Sequence, residues 1–292
     1  MPPPYLLPLE GLVNTPHTTQ MSDIRTKFPI LAVEKPSALI QAVGYLKHTR
    51  ANPSINKMVY CRGQRSLHTS FSPTLYRGLK QENKRCDRDR LIKNFLNKIR
   101  IESAFLSAVP EYAREAVLQH YGLQTRWMDV VDNIWVALWF ACHQAHTIGR
   151  HKEFLHFERR VKKHANDYAY ILLLESASAA ISDKPGYFED GNSSTIDLRI
   201  ACPSHFIRPH AQHGLLVRLY KKDRQISLDF SSLIVGVIRI DLDLALDWLG
   251  NGHTLSAHTL FPPPVYDYGY RELLDGLIPD DELLGRIQHI GA

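Results

Sequence analysis

The feature that most constrains the fold is a run of nine apolar residues, Ile134 to Cys142. Asp132 or Asn133, directly before the run, can cap a helix. A helix that is apolar on nearly all sides has to be buried. The pattern therefore predicts a buried helix over Ile134 to His146. The run is less than half of the roughly 20 residues that a membrane span requires, so we expect a core helix.

Length and composition indicate one large globular domain or two small ones. The chain has 292 residues, of which 44% are hydrophobic and 22% charged, which is enough apolar material for a core. The N-terminus lacks the basic start and the apolar segment of a secretory signal. The four cysteines form no CxxC pair, which is typical of reduced thiols. We therefore expect a cytoplasmic protein with no membrane association.

The chain divides into an arm and a domain. Residues 1–35 are rich in proline and lack periodicity, so we interpret them as an N-terminal arm on a single domain of residues 36–292. Apolar spacing predicts helices over residues 36–50, 87–109 and 111–121, strands over 58–61, 168–174, 215–220 and 233–240, and short helices near 243–250, 270–277 and 281–288. Residues 150–166 are predicted to be a surface connection, and 182–197 a turn-rich loop. Because helices dominate the first half and strands the second, we expect an α+β fold.

Positive charge is concentrated in one stretch. The net charge is +5, and residues 51–100 hold 12 Lys and Arg against three acids, whereas the last 22 residues hold two Arg against five acids. A basic stretch attracts polyanions or a phosphate-bearing ligand, but a solvated helix face explains it equally well. No RNA-binding signature with interleaved aromatic residues accompanies it. The glycine-rich nucleotide motifs and the GxSxG motif of serine hydrolases are also absent.

Three separate segments carry polar residues at positions suited to a site. In the first, a predicted strand ends in Arg62 and Gly63. Glycine lets a ligand approach the backbone, arginine offers a planar fork to a phosphate or carboxylate, and Arg77 follows nearby. The second segment, QHYGLQTRWMD, delivers Arg126 and Asp129 in front of the buried helix. These two residues are three apart and could instead pair with each other.

The third segment, IRPHAQHGLL, places Gln212 just before a strand. Its amide can hydrogen-bond a sugar hydroxyl or tie down a neighbouring loop. Structural explanations exist for other residues of the second segment as well. His120 can simply end its helix, where histidine is favourable, and Tyr121 can be a core aromatic residue.

Metal binding is not expected. His143 and His146 are three apart on the predicted helix, and three further histidines precede a strand: His205, His210 and His213. Either group has residue types that bind zinc, but no HExxH motif and no Cys/His spacing of a zinc site is present. We therefore expect no metal.

The three segments, in this order, resemble the FRG domain, a family named for its Phe-Arg-Gly signature. The resemblance covers roughly residues 35–275 and retains the polar positions: Arg62, Gly63, Gln119, His120, Tyr121, Gly122, Thr125, Arg126, Asp129, Gln212 and Gly214. The departures are mostly apolar: Cys61 replaces the signature phenylalanine, and Gln124, residues 127–130 and Leu216 also differ. Retention of the polar set favours a working site.

FRG domains distantly resemble the ADP-ribosyltransferase superfamily, which implies a mixed split β-sheet with flanking helices around a nicotinamide cleft. By this resemblance NAD is the substrate. The catalytic residues would be Arg62, His120 and Gln212, and the NAD-binding residues would be Arg62, Gly63, Arg77, Tyr121, Thr125, Arg126 and Asp129. In that scheme Arg62, with Arg77 or Arg126, holds the pyrophosphate, and Tyr121 stacks on nicotinamide. Gln212 binds the ribose 2′-hydroxyl, and His120 or Asp129 serves as the base.

The resemblance implies an NAD-dependent ADP-ribosyltransferase that modifies a macromolecule, as a bacterial toxin or an antiviral defence effector. The acceptor would be a protein or a nucleic acid, and the basic stretch makes RNA or DNA reasonable. A toxin of this kind would also have an antitoxin partner. Two alternatives remain open at this point: a non-catalytic module that binds a nucleotide or polyanion, and an NAD glycohydrolase.

Overall fold

Two β-sheets and a set of helices make up the described part of the chain, which is a mixed α+β fold. The computed structural model describes residues 18–21, 30–50, 57–68, 70–79, 81–102, 105–150, 152–181, 183–276, 279 and 281–291. No helix within these ranges has both the length and the apolar character that crossing a membrane would require.

The strands are β1 Thr18–Met21, β2 Ile30–Val33, β3 Lys57–Gln64, β4 Met128–Val131, β5 His143–Ile148, β6 Phe154–Arg159, β7 Tyr168–Ala177, β8 Tyr187–Glu189, β9 Ser193–Asp197, β10 Gly214–Leu219, β11 Ile234–Asp241 and β12 His289–Gly291. Nine of them form a mixed sheet in the order β1-β2-β11-β7-β3-β4-β10-β9-β8. The β2–β11 pair is parallel, whereas β7 pairs antiparallel with both β3 and β11. The remaining three strands form a small sheet in the order β12-β6-β5.

The helices are α1 Pro36–Arg50, α2 Glu82–Glu102, α3 Glu111–His120, α4 Ile134–Cys142, α5 Leu198–Ala201, α6 Arg208–Ala211, α7 Leu242–Trp248, α8 Ala257–Leu260 and α9 Tyr268–Gly276. One apolar cluster packs α1, α4 and α7 on β3, β7 and β11. A second cluster packs α2, α3 and α9 against β9 and β10. Helices therefore cover different parts of the large sheet, and residues of the first cluster also line the site described below.

The buried helix after residue 133 is confirmed, and Asn133 caps it by accepting from the backbone N–H of Trp135 and Val136. Its predicted end at His146 is wrong, because the helix stops at Cys142 and β5 begins at the next residue. The sequence HQAHTI pairs along its whole length with β6. Tertiary pairing with a neighbouring strand thus ends the helix and separates His143 from His146.

Strands also form in two polar segments that were predicted to be connections between elements. Residues 150–166 include β6, and residues 182–197 include β8 and the buried strand β9. Hydroxyl groups make β9 compatible with burial, since Thr195 Oγ1 donates to Ser176 Oγ at 2.9 Å. Residues 281–288 contain only the 3₁₀ turn Glu282–Leu284 instead of a helix.

The other predicted helices and strands are found within a few residues of their expected ends, although α2 begins before residue 87 and ends at Glu102. Of the predicted arm, residues 1–17 and 22–29 lie outside the described residues. Its two described pieces are strands: β1 pairs with β2, and β2 pairs with β11 of the large sheet. Ile30 and Leu31 are buried there, so this part of the arm belongs to the core.

One junction in the large sheet positions the site. Strand β3 pairs with β7 along its length, and β4 pairs with β10 over four residues. Between β3 and β4, in contrast, the register has a single pair, Cys61 with Val131. Beyond this pair the backbones of β3 and β4 are not joined by further ladder pairs, so side chains at the end of β3 and on β4 border the same space.

Candidate functional site

A cavity of about 320 Å³ lies beside the β3–β4 junction. It is lined by Cys61, Arg62, Gly63, Gln119, His120, Asp129, Val130, Val131, Ala137, Phe140, His143, Ala145, Phe157, Gln212 and Phe261. Its volume is near the lower end of the roughly 300–1,000 Å³ range of ligand sites. Residues from all three predicted segments meet here, which is why we take this cavity as the candidate site. A cavity of about 350 Å³ beside α2, lined by Leu79, Arg88 and Leu283 among others, has no such convergence.

Arg62 bridges the junction. Its Nη1 donates to the backbone carbonyl of Asp129 on β4, and the guanidinium lies 5.9 Å from the ring centroid of Phe71. Burial lowers the pKa of Arg62, and the nearby charge of Arg77 lowers it further, while Asp129 opposes both effects. The buried Nε of Arg62 has no hydrogen-bond partner among the described residues. The guanidinium is therefore held in place and keeps a donor that an anionic or carbonyl group could use.

His120 and Asp129 form the second polar part of the site. The Nδ1 atom of His120 lies 3.6 Å from Oδ1 of Asp129, which is longer than a hydrogen bond, and buried Nε2 has no partner among the described residues. Gln119 donates from Nε2 to Oδ2 of Asp129 at 2.8 Å. The His120 ring packs on Gly214, where a Cβ atom would lie 2.5 Å from Cε1. The ring thus needs glycine at the start of β10.

Gln212 follows α6 and is buried against the neighbouring loop. Its Nε2 donates to the carbonyl of Leu260 at 2.8 Å. This bond confirms that Gln212 ties down a neighbouring segment. The same residue lines the cavity, so its amide oxygen and second N–H are the groups that a ligand hydroxyl could meet.

Aromatic rings form the opposite wall. Phe157 stacks on Phe261 with centroids 4.5 Å apart, and His143 stacks on Trp139 at 4.0 Å. The Nδ1–H of His143 donates to the carbonyl of Trp139 at 2.8 Å. Burial lowers the pKa of His143, so the ring is neutral at pH 7 with its hydrogen on Nδ1. Flat rings of this kind suit a planar ligand.

Cys61 is the thiol of the cavity wall. It is fully buried, and burial raises its pKa to about 11. The thiol is therefore protonated at neutral pH and is not an activated nucleophile.

Four of the predicted NAD-binding residues lie outside the cavity lining: Arg77, Tyr121, Thr125 and Arg126. Tyr121 is buried in the second apolar cluster, where its hydroxyl donates to Oδ2 of Asp267 at 2.7 Å. The guanidinium of Arg208 covers its ring at 4.3 Å, so Tyr121 is unavailable for stacking on a ligand and that prediction is wrong. Thr125 is fully buried and donates from Oγ1 to Oε1 of Gln119 at 2.9 Å, so it supports the cavity wall from behind.

Arg126 is also absent from the cavity. It makes a two-point ion pair with Glu115, with Nε–Oε1 and Nη2–Oε2 distances of 3.0 and 2.6 Å. Both the predicted role in holding a phosphate and the alternative pairing with Asp129 are therefore wrong. Burial raises the pKa of Glu115, but the charges of Arg218 and Arg126 outweigh this effect and lower it to about 2. This carboxylate is ionised and fully engaged with arginine.

Gly63 and Arg77 have roles that differ from the predicted ones. A Cβ at Gly63 would lie 1.8 Å from the carbonyl oxygen of Ala137, so glycine is required because α4 packs directly on β3. Close packing of the helix, and not the approach of a ligand, explains this glycine. Arg77 is exposed and outside the cavity lining, although its charge acts on Arg62.

The structure adds residues that the sequence did not single out as site residues. They are Gln119, Phe140, His143, Phe157 and Phe261. Gln119 had a signal, because it begins the second segment. His143 and Phe157 had none, because their segments were predicted to be helix and surface connection, and only the β5–β6 pairing brings them to the cavity.

Comparison with known families gives one match. Residues 56–149 match the family model of the FRG domain. This part of the chain is similar to the FRG domain. The match covers about a third of the chain and includes the first two segments, whereas the third segment with Gln212 lies outside it. No curated protein and no solved structure matches the chain. Arg62, His120 and Asp129 thus lie in the part of the chain that matches the FRG domain, and Gln212 and Phe261 line the same cavity from later in the chain.

Proposed function

We propose that the chain is an NAD-dependent ADP-ribosyltransferase that modifies a macromolecule. The observation that carries the proposal is the convergence of Arg62, His120 with Asp129, and Gln212 on one cavity. These residues come from three segments that lie far apart in the sequence. Together they provide a cationic donor, a potential base and a hydroxyl-binding amide beside a wall of flat rings.

The sheet supports the same proposal. Strands β3 and β4 share one ladder pair, Cys61 with Val131, and the cavity lies beside this pair. A mixed sheet that opens at a ligand cleft is the architecture that the ADP-ribosyltransferase resemblance implies. The arginine at the end of β3 and the glutamine that precedes β10 lie at two sides of this opening.

The chemistry assigns a task to each group. Cleavage of the bond between nicotinamide and ribose releases nicotinamide with the bonding electrons and leaves positive charge on the ribose, which the acceptor then attacks. Arg62, with exposed Arg77, would bind the phosphates, because Arg126 is held by Glu115. The amide of Gln212 would bind a ribose hydroxyl.

The remaining tasks fall to the aromatic wall and the acid–base pair. The nicotinamide ring would lie against the aromatic wall of Phe140, Phe157 and Phe261, a task that buried Tyr121 leaves open. His120 or Asp129 would take the proton from the acceptor, since both line the cavity and an amide cannot serve as a base.

We further propose that the acceptor is a nucleic acid or a protein and that the activity serves as a toxin or an antiviral defence effector with an antitoxin partner. This step rests on the FRG resemblance and on the basic stretch of residues 51–100. This proposal predicts that expression of the chain inhibits cell growth and that the inhibition requires Arg62.

The test is incubation of the purified chain with labelled NAD and a cell lysate, followed by nuclease or protease digestion of the labelled product. We expect macromolecular label, and Arg62→Gln should reduce its formation by about 100-fold, the typical effect of losing one electrostatic donor. Arg65→Gln is the matched control, because Arg65 follows the same strand but does not line the cavity.

The other outcomes identify the alternatives. Free nicotinamide without label on any macromolecule would make the chain a glycohydrolase. NAD that binds at Arg62 but is recovered intact would make it a binding module. Equal loss of transfer in Arg62→Gln and Arg65→Gln would remove the cavity from the mechanism.

A further inference from the structure

The outward face of the second half of α2 has an unusual composition. Six side chains between positions 90 and 100 are exposed: Arg90, Lys93, Asn94, Asn97, Lys98 and Arg100. Four are cations, two are amides, and this stretch contains no acidic residue. Arginine, lysine and asparagine are the side chains that contact phosphate and sugar groups in nucleic-acid interfaces. We call this set the α2 face.

Burial fixes the direction in which this face points. Ile92, Phe95 and Ile99 are buried in the second apolar cluster and hold the opposite side of the helix against the domain. Two cations of the first half make contacts within the domain: Arg85 is buried and bonded to Gln225, and Arg88 donates to the carbonyl of Leu75 at 2.8 Å. The cations of the second half are exposed.

Neither of two simple explanations accounts for the whole face. Asp87 lies 3.5 Å from Arg90, but both side chains are more than 70% exposed, so the pair contributes little. Cations in the last turn stabilise the C-terminal end of a helix dipole. That effect concerns Lys98 and Arg100, whereas Lys93 lies more than two turns before Glu102.

The α2 face is connected to the cavity by one turn. The 3₁₀ turn Thr74–Tyr76 receives the Arg88 hydrogen bond on the α2 side, and Thr74 Oγ1 donates to Gln119 Oε1 at 3.0 Å on the cavity side. The next residue, exposed Arg77, acts on the charge of Arg62. The helix that carries the α2 face and the wall of the cavity are thus joined through one turn, and exposed Arg77 follows that turn.

We propose that the α2 face docks single-stranded RNA, which identifies the class of acceptor if the proposed transferase function is correct. The face extends about 15 Å along the helix, enough to contact successive phosphates. A base has to leave a duplex before it can enter a cavity of about 320 Å³, which favours a single strand. Asn94 and Asn97 can hydrogen-bond the 2′-hydroxyl groups that distinguish RNA from DNA.

The test is fluorescence anisotropy of a labelled single-stranded RNA of mixed sequence with the purified full chain, without NAD. Lys93→Gln with Arg100→Gln should weaken binding about tenfold and lower the slope of log affinity against log salt by about 1.4, or 0.7 for each lost phosphate contact. The control, Lys163→Gln with Lys222→Gln, removes the same charge at two exposed positions outside α2 and should leave the affinity within about twofold.

Each other outcome counts against the proposal. No binding by the wild-type chain, equal losses in the two double variants, tighter binding of a duplex, or equal binding of single-stranded DNA would overturn it. Because NAD is absent, the measurement is independent of catalysis. RNA binding without any NAD turnover would refute the transferase while leaving the docking surface intact.

Discussion

Two groups of charged residues in and beside the second segment lie close together in the fold and differ in how completely they are paired. Glu115 accepts from Arg126 through both carboxylate oxygens and from Arg218 at 2.9 Å, and its side chain is 8% exposed. In the cavity, Asp129 is 36% exposed and lies 3.6 Å from His120. In the first cluster both carboxylate oxygens are engaged by arginine, and we call it the closed cluster. In the second, Nε2 of His120 has no partner among the described residues.

The difference separates scaffold from site. A buried ion pair that satisfies itself has no capacity left for a ligand, however suggestive its residues are in the sequence. Buried polar atoms without a partner are costly and call for an explanation, and a ligand site is one. Arg62 and His120 meet this criterion and also line the cavity, since Nε of the first and Nε2 of the second have no partner in the described part of the chain. Other such atoms, Nε of Arg218 among them, belong to residues outside the cavity lining.

The largest expected effect on stability comes from a substitution in the closed cluster. Glu115→Gln leaves Arg126 and Arg218 buried beside a neutral amide, and removal of one partner from a buried ion pair costs about 3–5 kcal/mol. We expect the free energy of unfolding in urea to fall by this amount. A change below 1 kcal/mol would mean that the cluster is not a scaffold element and would remove the contrast with the cavity.

Gly63→Ala tests the place where scaffold and site touch. The added Cβ would lie 1.8 Å from a backbone oxygen of α4, so the helix has to shift, and we expect a loss of about 3 kcal/mol, at the upper end of overpacking effects. Gly44→Ala is the control, because nothing lies within 4 Å and alanine favours a helix, so stability should rise by about 0.5–1 kcal/mol. Thermal unfolding of the two variants measures the difference, and equal effects would refute the packing argument.

Acid should weaken the closed cluster in a defined range. The folded-state pKa of Glu115 is about 2, against an ordinary value of 4.5, so its contribution is fully present above about pH 4.5 and is lost as the pH falls towards 2. Linkage gives a loss of about 2 kcal/mol between pH 6 and pH 3 from this group. Urea titrations at both pH values measure the free energy of unfolding of wild type and Glu115→Gln. Between pH 6 and pH 3 it should fall by about 2 kcal/mol more in the wild type than in the variant, and equal falls would contradict the prediction.

Sequence reasoning located the site better than it assigned its parts. The α+β class and the buried helix after Asn133 followed from periodicity and capping, and the convergence of the three segments was implied by the FRG resemblance. The pairing of Arg126 with Glu115 could not be predicted in this way. Glu115 lies 11 residues earlier, on the preceding helix, whereas a spacing of three suggested Asp129. Likewise, nothing local indicates that Gly63 has to admit the backbone of α4.

The missed aromatic wall has a different cause. Residues 143–148 follow an apolar helix without a glycine or proline, so local pattern favours continuing the helix through His146. The strand forms because residues 154–159 pair with it, and this long-range term outweighs local propensity. One incorrect boundary therefore removed both His143 and Phe157 from the predicted site.

Asp129→Asn should have the smallest effect on stability. The Asn oxygen can still accept from Gln119 Nε2, the Arg62 bond goes to the unchanged backbone carbonyl, and His120 is too distant for a hydrogen bond. We expect the free energy of unfolding to change by less than about 1 kcal/mol, while NAD turnover falls at least tenfold, as for loss of a general base. Urea unfolding and nicotinamide release measured on the same preparation separate the two. A destabilisation as large as that of Glu115→Gln would assign Asp129 to the scaffold, because only a carboxylate that the fold needs can cost so much when its charge is removed.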